Sequence, residues 1–209
     1  MNRWIFFDVG YTLIDECDMW KRRVAETGQM AEEAGQNVSE QEIFDKISQL
    51  SAEYKPIAPN VAKWLGLKDM APYRGECERI YPDAAATLKH LKRFYKLGVI
   101  ANQPEKLNER LAKFDVLKYF DLVVSSDDVG IVKPNPKIFM YALSQADCLP
   151  QEAVMVGDRL DNDIAPAKKL GFTTVRIMQG ICAVQQPIDV FSTPDYTVDN
   201  LAQLVEIFG

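Results

Sequence analysis

Two rhythms of apolar and polar positions divide this chain. Trp4–Val9 is a continuous apolar run broken only by Asp8, the pattern of a strand covered on both faces in a parallel sheet. From Asp18 to about Tyr54 the period turns helical. Ser39 and Glu42 form the S-x-x-E of a capping box, and behind it Ile43, Ile47, Leu50 and Tyr54 recur as one apolar stripe. Pro56, Pro59, Gly66, Pro72 and Gly75 then interrupt the chain, which predicts short helices and loops. Trp64, with Leu65 and Leu67, reads as core, and no strand signal lies between Asp15 and Tyr81.

After Pro82 helices and strands alternate. Asp83 is placed to cap a helix through about Lys96, with Leu88, Leu91 and Tyr95 inside and Gly98 just past its end. A strand is predicted over Leu97–Ala101, then a helix opened by Pro104 and carrying Leu107, Leu111 and Phe114. Strand Leu122–Ser125, a helix from Asn135, strand Ala153–Val156, helix Asn162–Leu170 and strand Thr173–Ile177 follow. A last strand lies near Tyr196, before a closing helix through Leu201, Leu204, Val205 and Phe208. Units of this size predict an α/β fold built on a doubly wound parallel sheet, with ligands at the carboxyl ends of its strands. The expected division is a core domain of residues 1–15 and 81–209 and a helical insertion over 16–80.

Composition narrows the partners. The 209 residues are 47% apolar and 26% charged with net charge −6, as in an ordinary folded soluble protein. The acidic balance argues against nucleic acid or an anionic membrane as partner. No apolar run approaches the roughly 20 residues of a membrane span, and the start, Met1-Asn2-Arg3-Trp4, lacks the pattern of a signal peptide. His90 is the only histidine, and Cys17, Cys77, Cys148 and Cys182 are scattered. That count excludes a structural zinc site and a Ser-His-Asp triad, and it fits reduced thiols in a cytoplasmic protein.

Polar residues gather at the predicted strand ends. Asp8, inside a buried run, either is paired, metal-bound or neutralised, or caps the following turn. Asp158 ends another strand, with Gly157 before it read as a tight turn. Asp161 and Asp163 follow, one of them a candidate helix cap, and the three acids are otherwise a solvated loop. Two strand-end carboxylates converging on one crevice would hold a hard cation such as Mg²⁺. Lys133, directly before Pro134, is either a solvated loop lysine or a cation balancing a phosphoryl group. Asn102 offers amide donors to a phosphate or caps the next helix.

In order along the chain stand D-V-G-Y-T-L, I-A-N-Q, I-V-K-P-N-P-K-I-F and V-G-D-R-L-D-N-D-I-A-P-A-K-K-L-G. They resemble the four ordered motifs of the haloacid dehalogenase (HAD) superfamily, and the spacing extends the resemblance over essentially the whole chain. It implies a Rossmann-like core with an all-helical cap and a Mg²⁺-dependent phosphatase acting on a small phosphorylated metabolite, as monomer or homodimer. It also implies that Asp8 attacks phosphorus and that Mg²⁺ is held by Asp8, the Gly10 carbonyl and Asp158, with Asp163 supporting the metal-bound water. Ala101, Asn102 and Lys133 fall where the family binds phosphate, and Lys133 also steadies Asp8.

Two positions depart from the family pattern. Gly10 stands where phosphatases of the family carry an aspartate as general acid and base, and Ala101 where they carry Ser or Thr. A positioned general acid–base contributes roughly 10²–10⁴-fold, and a hydrogen bond to a charged group about 1.5–3 kcal/mol. Three readings follow. One is a slow phosphatase that favours leaving groups needing no proton, with Asp15, Tyr11 or a cap group as substitute acid. A second is C–P or C–halogen hydrolysis, with Lys46 as a Schiff-base lysine in the phosphonatase case. The third is binding of Mg²⁺ and a phosphorylated ligand without turnover. Trp20, Lys21, Arg22, Tyr54, Trp64 and Arg74 are the candidate cap-lining residues.

Overall fold

The structure, a computed structural model, describes residues 3–103 and 106–209. In chain order the elements are β1 (Trp4–Phe7), β2 (Ile14–Asp15), α1 (Cys17–Glu33), α2 (Glu40–Ala52), α3 (Ile57–Trp64), β3 (Arg79–Ile80), α4 (Ala84–Leu91), β4 (Lys96–Ala101) and α5 (Leu107–Lys113). They continue with β5 (Leu122–Ser125), α6 (Ser126–Val129), α7 (Pro136–Ala146), β6 (Ala153–Gly157), α8 (Ala165–Leu170), β7 (Thr173–Ile177), β8 (Tyr196–Val198) and α9 (Leu204–Phe208).

Six strands form one parallel sheet in the order β5-β4-β1-β6-β7-β8. Alternation along each strand sends side chains to opposite faces. Ile5, Phe7, Leu97, Val99, Val154 and Val156 join one apolar cluster with Leu88 and Leu91 of α4, Leu107 and Leu111 of α5 and Leu204 of α9. Trp4, Phe6, Ile100 and Met155 join the other, with Ile138, Phe139 and Ala142 of α7 and Ala167 of α8. Helices therefore cover both faces of the sheet, which is the doubly wound α/β arrangement the apolar runs predict.

The chain forms two compact units. One takes in the residues through Ile14, Ile80–Gln179 and Pro187–Gly209, and holds the sheet. The other is Asp15–Arg79 with Gly180–Gln186. In it α1, α2 and α3 pack around Val24, Ile43, Ile47, Leu50, Val61 and Leu65. The Ser39–Glu42 capping box is formed on both sides. The segment 180–186 is tied to these helices by the Tyr54 hydroxyl, donating to the Gln186 carbonyl at 2.6 Å, and by the Gln185 amide, donating to the Ser51 carbonyl at 3.3 Å. Among the described residues no helix is long and apolar enough to cross a membrane.

Several local expectations are corrected. The helix opened at Asp83 ends at Leu91, and Gly98 lies inside β4. A Cβ at Gly98 would sit 2.6 Å from the Phe6 ring, so this glycine admits a neighbouring aromatic and does not end a helix. Asp83 makes no cap hydrogen bond to α4, and its carboxylate accepts the Ala202 N–H at 2.9 Å. Pro104, the expected helix start, lies outside the described residues, and α5 begins at Leu107. The short strands β2 and β3 pair with each other, a ribbon too brief for any period to reveal. Trp64 is 43% exposed under the Lys46 ammonium, 6.0 Å from its ring, while Leu65 is the buried neighbour.

Candidate active site

Asp8 directly follows β1, which lies between β4 and β6 in the middle of the sheet, and its N–H donates to the Val156 carbonyl at 2.9 Å. The chain then turns sharply: Val9 accepts from both the Leu13 and Ile14 N–H groups at 2.9 Å, and Tyr11 takes a left-handed φ of 51°. Gly10 bridges to Ile14 in this turn. Lys133 arrives from the segment before α7 through a cis Lys133-Pro134 peptide. Asp158 and Asp163 come from the segment after β6.

Gly157 serves close approach and not a tight turn. A Cβ there would lie 2.5 Å from the Asp163 Cβ, so only glycine lets that side chain fold back across the strand end. The expected helix over Asn162–Leu170 begins instead with a π turn, Leu160–Ile164, in which the Asp163 and Ile164 N–H groups both donate to the Arg159 carbonyl. Such wide turns recur at functional sites because they re-aim a side chain. Asp163 points inward, whereas Asp161 turns to the Arg159 guanidinium at 2.6 Å.

These elements bring four charged side chains together. The Lys133 ammonium donates to Asp8 Oδ1 at 2.6 Å, to Asp163 Oδ1 at 2.6 Å and to the Ile100 carbonyl at 2.8 Å. The second Asp163 oxygen accepts the Arg159 N–H at 3.1 Å. Asp8, Asp158 and Asp163 each offer an oxygen, and these lie within 4.8 Å of one another. All four residues are at most 8% exposed. With every group ionised the cluster carries −3 + 1 = −2.

Electrostatics follow from that imbalance. Burial pushes the Asp158 carboxyl well above the ordinary range, and repulsion from Asp163 and Asp8 adds to the effect. Burial also raises Asp163, to about 6, although Lys133 pulls against it. Burial disfavours the Lys133 ammonium, but the Asp163 and Asp8 charges outweigh it and leave Lys133 above the usual lysine range. A pocket with two uncompensated negative charges and only hard oxygen donors fits a divalent cation of the Mg²⁺ type.

The other candidate residues lie as follows. Ala101 ends β4 fully buried, its methyl in the apolar cluster. Asn102 turns its carboxamide to the Lys133 main chain, with bonds of 2.7 and 2.8 Å. Asp15 accepts the Cys17 N–H at 2.8 Å at the head of α1, and Tyr11 is 4% exposed. The Lys46 ammonium donates to Gln49 at 3.0 Å. Arg22 and Arg74 both pair with Glu26, and Lys21 with Asp18. The four cysteines carry thiols and no disulfide. The Ile100 carbonyl and the Arg159 N–H have no signature in the sequence, because main-chain groups leave no mark on residue identity.

A doubly wound α/β protein with a carboxylate–lysine cluster at the ends of its central strands is the class that this fold and site define. The chain belongs to the haloacid dehalogenase-like hydrolase family, which it matches over residues 5–177. It is 38% identical over 129 residues to the glyceraldehyde 3-phosphate phosphatase of Methanopyrus kandleri, across 61% of this chain and 55% of that protein. To the protein of the same name from Pyrococcus abyssi it is 31% identical over 208 residues, 86% of this chain and 83% of the relative. Matches to other relatives of that name span 56%, 66% and 58% of their length, so the shared stretch is often little more than half of the relative. Among solved structures, a HAD phosphatase from Thermococcus onnurineus superimposes with TM-score 0.67 and 27% identity, covering 100% of this chain and 98% of that one.

Proposed function

We propose that this protein is a Mg²⁺-dependent phosphatase of small phosphorylated metabolites that works through a phospho-aspartate at Asp8. The observation that carries the reading is the Asp8–Lys133–Asp163 cluster with Asp158 beside it. The phosphatase names of the relatives support it. In this reading an Asp8 oxygen forms the bond to phosphorus while the bond to the leaving oxygen breaks. Water then cleaves the acyl phosphate, releasing inorganic phosphate and restoring the carboxylate. Lys133 holds Asp8 in place and balances charge on the phosphoryl oxygens, helped by main-chain groups at Ala101 and Asn102. Mg²⁺, held by Asp8, Asp158 and the Gly10 carbonyl with Asp163 in support, would supply the remaining positive charge. The helical unit is the cap that selects substrate, and the thiols fit a cytoplasmic setting.

Gly10 decides the substrate preference. With no carboxyl at that position the leaving oxygen takes its proton from solvent. Hydrolysis of acetyl phosphate or p-nitrophenyl phosphate, whose leaving groups need none, should exceed that of glyceraldehyde 3-phosphate by roughly 10²-fold or more. A rate assay at equal concentrations, with Mg²⁺ and with chelator, tests this. Equal rates on the three substrates would show that another group delivers the proton, and rates indifferent to chelator would remove the metal from the reading.

The raised carboxyls set the pH dependence of metal binding. A carboxyl that holds the metal or its bound water does so ionised, and Asp158, well above its usual range, and Asp163, at about 6, hold their protons to unusually high pH. Apparent Mg²⁺ affinity, measured by calorimetry, should therefore fall as pH drops through about 6. An affinity flat from pH 7.5 to 5 would place the metal on other groups.

A further inference from the structure

We propose that the Asn102 carboxamide is a positioning group for Lys133 and not a ligand of the phosphate; this rests on the phosphatase reading above. The Lys133 N–H donates to Asn102 Oδ1 at 2.7 Å, and Asn102 Nδ2 donates to the Lys133 carbonyl at 2.8 Å. The two contacts need one acceptor and one donor on the same planar group, which fixes how the amide is oriented. They join the loop after β4 to the segment before α7 at a residue 31 positions away.

The same strand end also holds the lysine's other extremity, through the Ile100 carbonyl at 2.8 Å from Nζ. Ile100 and Asn102, on either side of Ala101, thus grip Lys133 at head and main chain. Lys133 is 4% exposed. A flexible four-carbon side chain reaches both Asp8 and Asp163 only if its Cα is fixed, and the two-point clamp fixes it. The clamp also accounts for how this strand end keeps a role after losing the hydroxyl at position 101: Ala101 gives up a phosphate donor, but the residues flanking it still set the lysine. Carboxamide chemistry is required. Aspartate, of the same size, keeps the acceptor for the Lys133 N–H but turns a second oxygen toward the Lys133 carbonyl, and alanine keeps neither contact.

Asn102→Ala and Asn102→Asp test the proposal with two readouts. The first, independent of turnover, is acetylation of Lys133 by an N-hydroxysuccinimide ester, read by peptide mass spectrometry, with circular dichroism confirming the fold. Lys133 should be nearly unreactive in the native chain and labelled several-fold faster in both variants. The second is p-nitrophenyl phosphate hydrolysis, in which kcat should fall about 10²-fold, the cost of a misplaced charged group, while KM moves little. Unchanged labelling of Lys133, or a raised KM with kcat intact, overturns the assignment and makes Asn102 a phosphate contact. If the native chain hydrolyses no phosphate ester but labelling still rises in the variants, the clamp stands and the phosphatase reading is what fails. Should Asn102→Ala not fold, the isosteric aspartate variant carries the test alone.

Discussion

Replacing Asp8 by asparagine is expected to take p-nitrophenyl phosphate and acetyl phosphate hydrolysis to background while leaving the protein folded. The expected loss is of the order of 10⁶-fold, as for removal of a nucleophile from a covalent mechanism. The substitution is nearly isosteric, and the asparagine oxygen can still accept from Lys133, which also keeps Asp163 and the Ile100 carbonyl. Structural damage is therefore small. The cluster's charge changes from −2 to −1, so without metal the variant should melt no lower than the native chain, because one buried carboxylate has been removed from a group that repels itself. Lost turnover with retained stability separates chemistry from folding. Intact mass after acid quench gives a second reading, since a phosphoryl adduct should appear in the native chain and never in Asp8→Asn. Retention of more than a few per cent of activity by Asp8→Asn would end the phospho-aspartate proposal. A native chain that binds Mg²⁺ but hydrolyses none of the esters would favour binding without turnover.

Much of the sheet is legible in the sequence because a strand buried on both faces must be apolar throughout. Leu122–Ser125 and Thr173–Ile177 are also read to the residue, the first from its short apolar run and the second from its β-branched residues. Boundaries set by tertiary contacts are not legible. The helix opened at Asp83 looks continuous through about Lys96, but it ends at Leu91 and β4 begins at Lys96, where the chain pairs with Trp4 of β1 and Asp121 accepts the Leu97 N–H at 2.9 Å. Nothing within residues 84–96 announces that partner. Likewise Gly98 reads as a helix end when only its own neighbours are known, and as a seat for Phe6 once the strands are adjacent.

The site divides along a similar line. Asp8 and Asp158 stand out because charge at the end of an apolar run is costly and demands a partner, whereas Lys133 and Asp163 stand out only through the motifs that resemble the family's. What assembles them is less visible. The π turn that swings Asp163 inward, the glycine that makes room for it and the clamp on Lys133 depend on main-chain geometry, which side-chain pattern reports poorly. Asn102 is singled out in the sequence as a phosphate donor or a helix cap, but its carboxamide faces a peptide group that only the fold brings near.

Gly10→Asp should raise the rate on an alkyl phosphate such as glyceraldehyde 3-phosphate by roughly 10²–10⁴-fold, the contribution of a positioned general acid–base. Gly10 is not among the glycines with left-handed φ, so the strain that such a φ imposes on an L side chain does not arise there. The gain should be selective. Acetyl phosphate expels acetate, a weak base that needs no proton, so its transfer step should barely respond, and the ratio between the two substrates should collapse toward unity. The phosphoryl adduct on Asp8 should also become shorter-lived, because the new carboxylate can take a proton from the attacking water. Ala101→Ser is the weaker restoration. Its hydroxyl would enter a fully buried position within the apolar cluster, at a cost of about 1–3 kcal/mol unless the phosphate satisfies it. A Gly10→Asp variant that binds Mg²⁺ normally but gains nothing on the alkyl ester would show that proton transfer is not what limits this site, and that the limit lies in how Lys133 and Asp8 meet the phosphoryl group.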